Sequence, residues 1–107
     1  MNRGQVITVT LKGNYGKPRP ALIVQSDFFD EHPSITILPI TSELRDTPLF
    51  RYPLTAHQSH GLSKDSQVMI DKITTIKREK AGQVIGQLNQ KQLTEITRLL
   101  ALWLGMD

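Results

Sequence analysis

The sequence predicts a small, mainly β domain: a strongly bent antiparallel sheet or half-open barrel with a single C-terminal α-helix. Three observations lead there. Six or seven short apolar or β-branched segments follow one another, turn-forming residues separate them at brief intervals, and helical periodicity appears only in the last segment. The 107 residues make one domain, 1–107, with no internal repeat, linker or low-complexity tract.

Gln5 to Leu11 is rich in β-branched residues and reads as the first strand. Lys12-Gly-Asn-Tyr-Gly-Lys-Pro is dense in turn formers and reads as a loop. Pro20 to Gln25 is nearly all apolar and short, as a strand buried on both faces should be. Residues 26–33 are irregular, with room for one helical turn. Ser34 to Ile40 is the third strand, where Pro39 demands a bulge or an edge.

Thr41 to Pro48 is polar and loop-like, and Phe50 to Leu54 is a short strand interrupted by Pro53. A second polar loop, Thr55 to Lys64, holds His57, His60 and Gly61. Ser66 to Ile70 and Thr74 to Ile76 follow as short strands. Gly82 and Gly86 would each cost a helix about 1 kcal/mol, so Gly82 to Leu88 reads as a strand.

Asn89 and Gln92 have the spacing of a capping box, and Gly105 ends the helix that they open. Leu93, Ile96, Leu100 and Trp103 form its apolar stripe. Leu99, Leu102 and Leu104 widen that stripe beyond what one small sheet needs, which points to a partner surface such as a homodimer. The alternative is a helix sunk deep in the core.

Composition narrows the function. An apolar fraction of 38% with 21% charged residues is ordinary for a soluble globular protein. No apolar run is long enough to cross a membrane, and Met1-Asn-Arg-Gly-Gln-Val lacks a signal-peptide core. There is no cysteine, hence no disulfide or thiolate metal site, which fits a reducing cytoplasm. Three scattered histidines do not suggest a structural metal. The net charge of +3 is mild but uneven: Arg3, Lys12, Lys17 and Arg19 precede the first acid, Asp27. Lys72, Lys77, Arg78 and Lys80 form a second cluster. Both suit a polyanion, or simply a solvated basic face.

No P-loop, dinucleotide fingerprint, HExxH or nucleophile elbow is present. The residues able to do chemistry gather at predicted strand ends: Arg19, then Thr41 and Ser42, then Asp71 and Lys72. Arg19 stands between Pro18 and Pro20, which restrict its backbone, and a guanidinium matches phosphate geometry. A fork, two hydroxyls and a carboxylate around one cavity would grip a phosphodiester and stabilise charge developing on it. RNA would supply its own 2′-hydroxyl nucleophile. Taken singly these residues also read as a loop end, a turn and a surface ion pair. His32, His57 and His60 lie in polar loops and are expected to be exposed, though His57 and His60 stay open as acids or bases because imidazole as a side-chain type suits that role near neutral pH. Tyr15, in the basic loop, is a candidate for stacking on a base.

These segments together resemble the MazF/PemK family of toxin endoribonucleases, the toxin half of type II toxin–antitoxin pairs. The resemblance rests on Arg3-Gly-Gln-Val6, Gly16-Lys-Pro-Arg-Pro-Ala-Leu-Ile-Val-Gln-Ser-Asp27, Ile37-Leu-Pro-Ile-Thr-Ser42, Ser66-Gln-Val-Met-Ile-Asp-Lys-Ile-Thr-Thr75 and Gly86-Gln-Leu before the helix. It implies an SH3-like barrel of the CcdB/PemK type and a symmetric dimer. It also implies cofactor-free and metal-independent cleavage of single-stranded RNA to 2′,3′-cyclic phosphate and 5′-hydroxyl ends, and neutralisation by a cognate antitoxin. By position Arg19 would bind and protonate at the scissile phosphate, Thr41 would contact it, and Asp71 would match an acid–base position of some members. Lys17, Tyr15, Ser42, Gln67 and Lys72 would contact RNA.

The first loop is shorter than in many members and lacks their glutamate or histidine before Arg-Pro. Met69 stands where some have arginine. The general base stays open among Asp71, a histidine and no single residue. Two other readings remain: a CcdB-like gyrase poison, for which Trp103-Leu-Gly-Met106 would be the protein anchor, and an SH3-like module that binds nucleic acid without cutting it.

Overall fold

The computed structural model describes residues 1–11 and 16–106. Seven strands follow in chain order: β1 (Gln5–Val9), β2 (Arg19–Ile23), β3 (Ser34–Thr41), β4 (Arg51–Leu54), β5 (Ser66–Met69), β6 (Thr74–Lys77) and β7 (Ala81–Gln87). The helix α1 (Gln90–Leu104) closes the chain. Every pairing is antiparallel, and the sheet runs β4-β5-β3-β2-β1-β7 with β6 added to β3. The expected mainly-β fold with one terminal helix is the observed one, and the sheet is bent and barrel-like without closing.

Strand β3 is long enough to serve two partners on one side. Its residues Ser34–Ile37 pair with β6, and Ile40–Thr41 pair with β5. Its other side pairs with β2. Pro39 therefore lies in a central strand, neither at an edge nor at a bulge. The Thr36 carbonyl accepts from Val24 N at 3.1 Å on the β2 side. Alternation then turns the Pro39 nitrogen the opposite way, into the gap where β6 has ended and β5 begins. The donor that proline lacks is not needed there.

The sheet buries both faces. Val6, Leu22, Leu38, Ile40, Val68 and Ile70 form the larger cluster with Ile96 of α1, while Ile7, Val9, Ala21, Ile23, Ile35 and Ile37 form a second. The continuous apolar run after Pro20 has this cause: alternate residues enter different clusters.

The helix begins as its sequence specifies. The Asn89 side chain accepts from Gln92 N at 2.8 Å, and the Gln92 side chain accepts from Asn89 N at 2.9 Å. Gly105 ends it at φ +72°. Only Ile96 is fully buried; Leu93, Leu99 and Leu100 pack partly against the core. The helix is therefore not sunk in the core. Leu102, Trp103, Leu104 and Met106 are about half exposed or more, with Trp103 leaning on Phe50 at a ring separation of 6.1 Å. No helix among the described residues is long and apolar enough to cross a membrane.

Candidate functional site

A groove of about 670 Å³ opens where β2 begins and β3 ends. The β2–β3 register explains its contents. Ala21 pairs with Pro39 and Ile23 with Ile37, so the same register carried two residues outward sets Arg19 opposite Thr41. Opposed residues of an antiparallel pair project from the same face. Arg19 and the adjacent Thr41 and Ser42, more than twenty residues further along the chain, line one cavity, joined by Lys72. Pro39, Ile40 and Met69 supply its apolar surface, and Leu62, Ser63 and Lys64 supply another side.

Thr41 is oriented by its own loop. Its Oγ1 accepts from Glu43 N at 3.0 Å, so the hydroxyl proton remains available to a ligand oxygen. Arg19 is exposed and Lys72 largely so, which leaves both cations accessible in the groove.

Of the other sequence candidates among the described residues, Asp71, Gln67 and Lys17 do not line the groove. Asp71 lies in the 3-10 turn Ile70–Lys72 with its carboxylate mostly covered, 3.4 Å from the Lys72 ammonium. Gln67 holds the neighbouring loop: its Oε1 accepts from Arg45 N and Arg51 Nη1, both at 3.0 Å, and its Nε2 donates to Arg45 O at 2.9 Å. Lys17 is exposed two residues before Arg19 and outside the lining set. Tyr15 and part of the loop expected from Lys12 lie outside the described residues.

None of the three histidines lines the groove. His32 and His57 are exposed, but His60 is only 2% exposed, against the expectation from its polar loop. Its Nδ1 accepts from Leu62 N at 3.3 Å, so Nε2 carries the proton donated to Thr55 O at 2.6 Å. The ring thereby ties both ends of the loop that presents Leu62, Ser63 and Lys64. Gly86 lets that loop seat on β7, since a Cβ there would stand 2.3 Å from the His60 carbonyl carbon.

Sequence reasoning missed Lys64, Ser63 and Glu43 as groove residues. Nothing local distinguishes Lys64 from other loop lysines; it depends on how residues 55–65 fold back over the sheet. Glu43 was visible only as the residue after Thr41-Ser42. Among the described residues no three His, Asp or Glu side chains converge as a metal site would require.

Burial raises the pKa of Tyr52 above its ordinary value, assisted by its hydrogen bond to Glu95 Oε2 at 3.1 Å and by that carboxylate's charge. This pair bridges β4 and α1, away from the groove.

Comparison with known proteins agrees with the geometry. The probable endoribonuclease MazF of Mycolicibacterium smegmatis is 39% identical over 107 residues, covering 99% of this chain and 98% of its own. The solved Mycobacterium tuberculosis toxin MazF-mt6 superposes with a TM-score of 0.83 at 26% identity, covering 96% of this chain and 98% of that one. An endoribonuclease from a mycobacterial species, solved in complex with its cognate antitoxin, shares the fold: TM-score 0.81, 24% identity, 100% and 97% coverage. The family described as PemK-like, MazF-like toxin of type II toxin–antitoxin system matches residues 2–104, and the chain belongs to it.

Proposed function

We propose that this protein is a toxin endoribonuclease that cuts single-stranded RNA selectively, without a metal ion, using the RNA's own 2′-hydroxyl. The observation that carries this reading is the single groove that Arg19, at the start of β2, and Thr41, at the end of β3, line together. In the reaction the 2′-oxygen forms a bond to phosphorus as its proton passes to water, and the bond to the 5′-oxygen breaks as that oxygen takes up a proton from Arg19, which solvent reprotonates. The products are a 2′,3′-cyclic phosphate and a 5′-hydroxyl. Negative charge grows on the non-bridging oxygens during attack. Arg19 is placed to neutralise it and to supply a proton, and Thr41 donates its free hydroxyl proton to the same phosphate. Ser42, Lys72 and Lys64 hold the strand by hydrogen bonding and charge. Asp71 acts through Lys72, whose ammonium it orients, rather than on the reacting atoms.

The wider role follows from the family. Cleavage of messenger RNA in the cytoplasm would stop translation and growth, and a cognate antitoxin would neutralise the toxin. The exposed end of α1 supports a homodimer, since four large apolar residues lie at solvent there.

The test is cleavage of labelled single-stranded RNA in the presence of a chelator, with the ends of the products identified. A single 2′-deoxy substitution at the cut should abolish it. A 3′-hydroxyl product, or Arg19→Ala protein cutting at the wild-type rate, would refute this mechanism. Gyrase-dependent supercoiling assayed in parallel distinguishes the CcdB-like alternative, and salt-sensitive RNA binding without products distinguishes the binding module.

A further inference from the structure

Glu43 is the groove residue that phosphate chemistry leaves without a role. It lines a cavity whose other charged members are Arg19, Lys64 and Lys72, and a carboxylate there repels a phosphodiester. Yet its loop is firmly held. Glu43 N donates to Thr41 Oγ1 at 3.0 Å, and its carbonyl accepts from Arg51 Nη1 at 2.8 Å. Two residues on, the Gln67 amide engages both Arg45 N and Arg45 O. The Arg45 guanidinium in turn pairs with Glu43 Oε1. Thr41, Arg51 and Gln67 therefore hold the backbone of residues 43–45, and Arg45 pairs with the exposed Glu43 carboxylate at the lip of the groove, two residues beyond Thr41.

A carboxylate only accepts hydrogen bonds and offers about four lone-pair sites, so with Arg45 on one of them both oxygens can still accept. Bases of single-stranded RNA are splayed out and read along their Watson–Crick edges. Guanine presents two adjacent donors there, N1–H and the N2 amino group, matching two carboxylate oxygens. Uracil presents one.

We propose that Glu43 is a specificity-determining residue that accepts hydrogen bonds from the Watson–Crick edge of a guanine beside the scissile phosphate. This rests on the endoribonuclease reading above. The experiment uses the full chain and its Glu43→Gln variant on oligonucleotides that carry each base in turn, and inosine, at the positions flanking the cut. Wild type should favour guanine over uracil at one flanking position by roughly tenfold or more, the size expected of a good bidentate contact. Inosine, which lacks the N2 amino group, should fall between them. In Glu43→Gln the guanine-to-uracil ratio should collapse towards unity, with the guanine-to-inosine difference lost. A wild type indifferent to flanking bases would overturn the proposal. So would a variant whose rates all rise by one factor, the mark of relieved charge repulsion, or all fall by one factor, the mark of a proton-transfer or folding role. A wild type that cuts no RNA of any sequence would instead remove the underlying nuclease reading.

Discussion

At the groove the exposed side chains are charged or hydroxylic and come from four separate stretches of chain, whereas at the end of α1 they are large, apolar and contiguous. Water readily solvates the first group, so its convergence costs little stability and waits for an anion. Water disfavours the second group, so its exposure waits for another surface. On the proposed function the difference would separate chemistry, at residues brought together across the sheet, from association, at the end of a single helix.

Exchanging the readouts at the two regions tests that separation. Arg19→Ala should lower the cleavage rate roughly a hundred- to thousand-fold, about 3–4 kcal/mol of transition-state stabilisation, in single-turnover assays. Its melting temperature should match wild type, because Arg19 is exposed and packs no core. Ile96→Ala should do the reverse. Its cavity should cost about 2–5 kcal/mol in denaturant unfolding, with cleavage per folded molecule retained. If Arg19→Ala unfolded the protein, the groove would be a structural element after all.

Smaller effects sharpen the helix side. Leu104→Lys should turn a micromolar dimer into a monomer in sedimentation, since a buried leucine contributes about 1.5–3 kcal/mol for each copy. A dimer that persists unchanged would move the interface elsewhere. Asn89→Ala removes the capping box and should cost about 1 kcal/mol of stability without altering RNA cleavage.

Tyr52→Phe should be the mildest near neutral pH, where it loses one hydrogen bond worth about 1 kcal/mol or less. Its effect should appear at alkaline pH. Burial raises the folded-state pKa above the unfolded value of 10.0, so folding favours the neutral phenol. That contribution is fully present below the unfolded pKa and is lost as pH rises through the folded one. The variant should therefore lose less stability than wild type above about pH 10 in denaturant titrations. Parallel curves would show that Tyr52 does not couple to folding.

The sequence alone determined what depends on neighbours along the chain. The cap at Asn89, the stop at Gly105, the apolar run after Pro20 and the chemical types of Arg19, Thr41 and Ser42 are local facts, and the observed strands and helix follow them closely. The helix cost of Gly82 and Gly86 likewise tipped the segment where β7 forms towards strand. Only the tertiary structure decided which of these residues meet. The β2–β3 pairing brought Arg19 and Thr41 to one groove, the seating of residues 55–65 on Gly86 brought Lys64 to that groove and buried His60, and the pairing of Thr41 with Gln67 gave Gln67 to the loop of Glu43. Those outcomes depend on pairings between distant segments, whose register is fixed by the two buried clusters together and is written in no single segment.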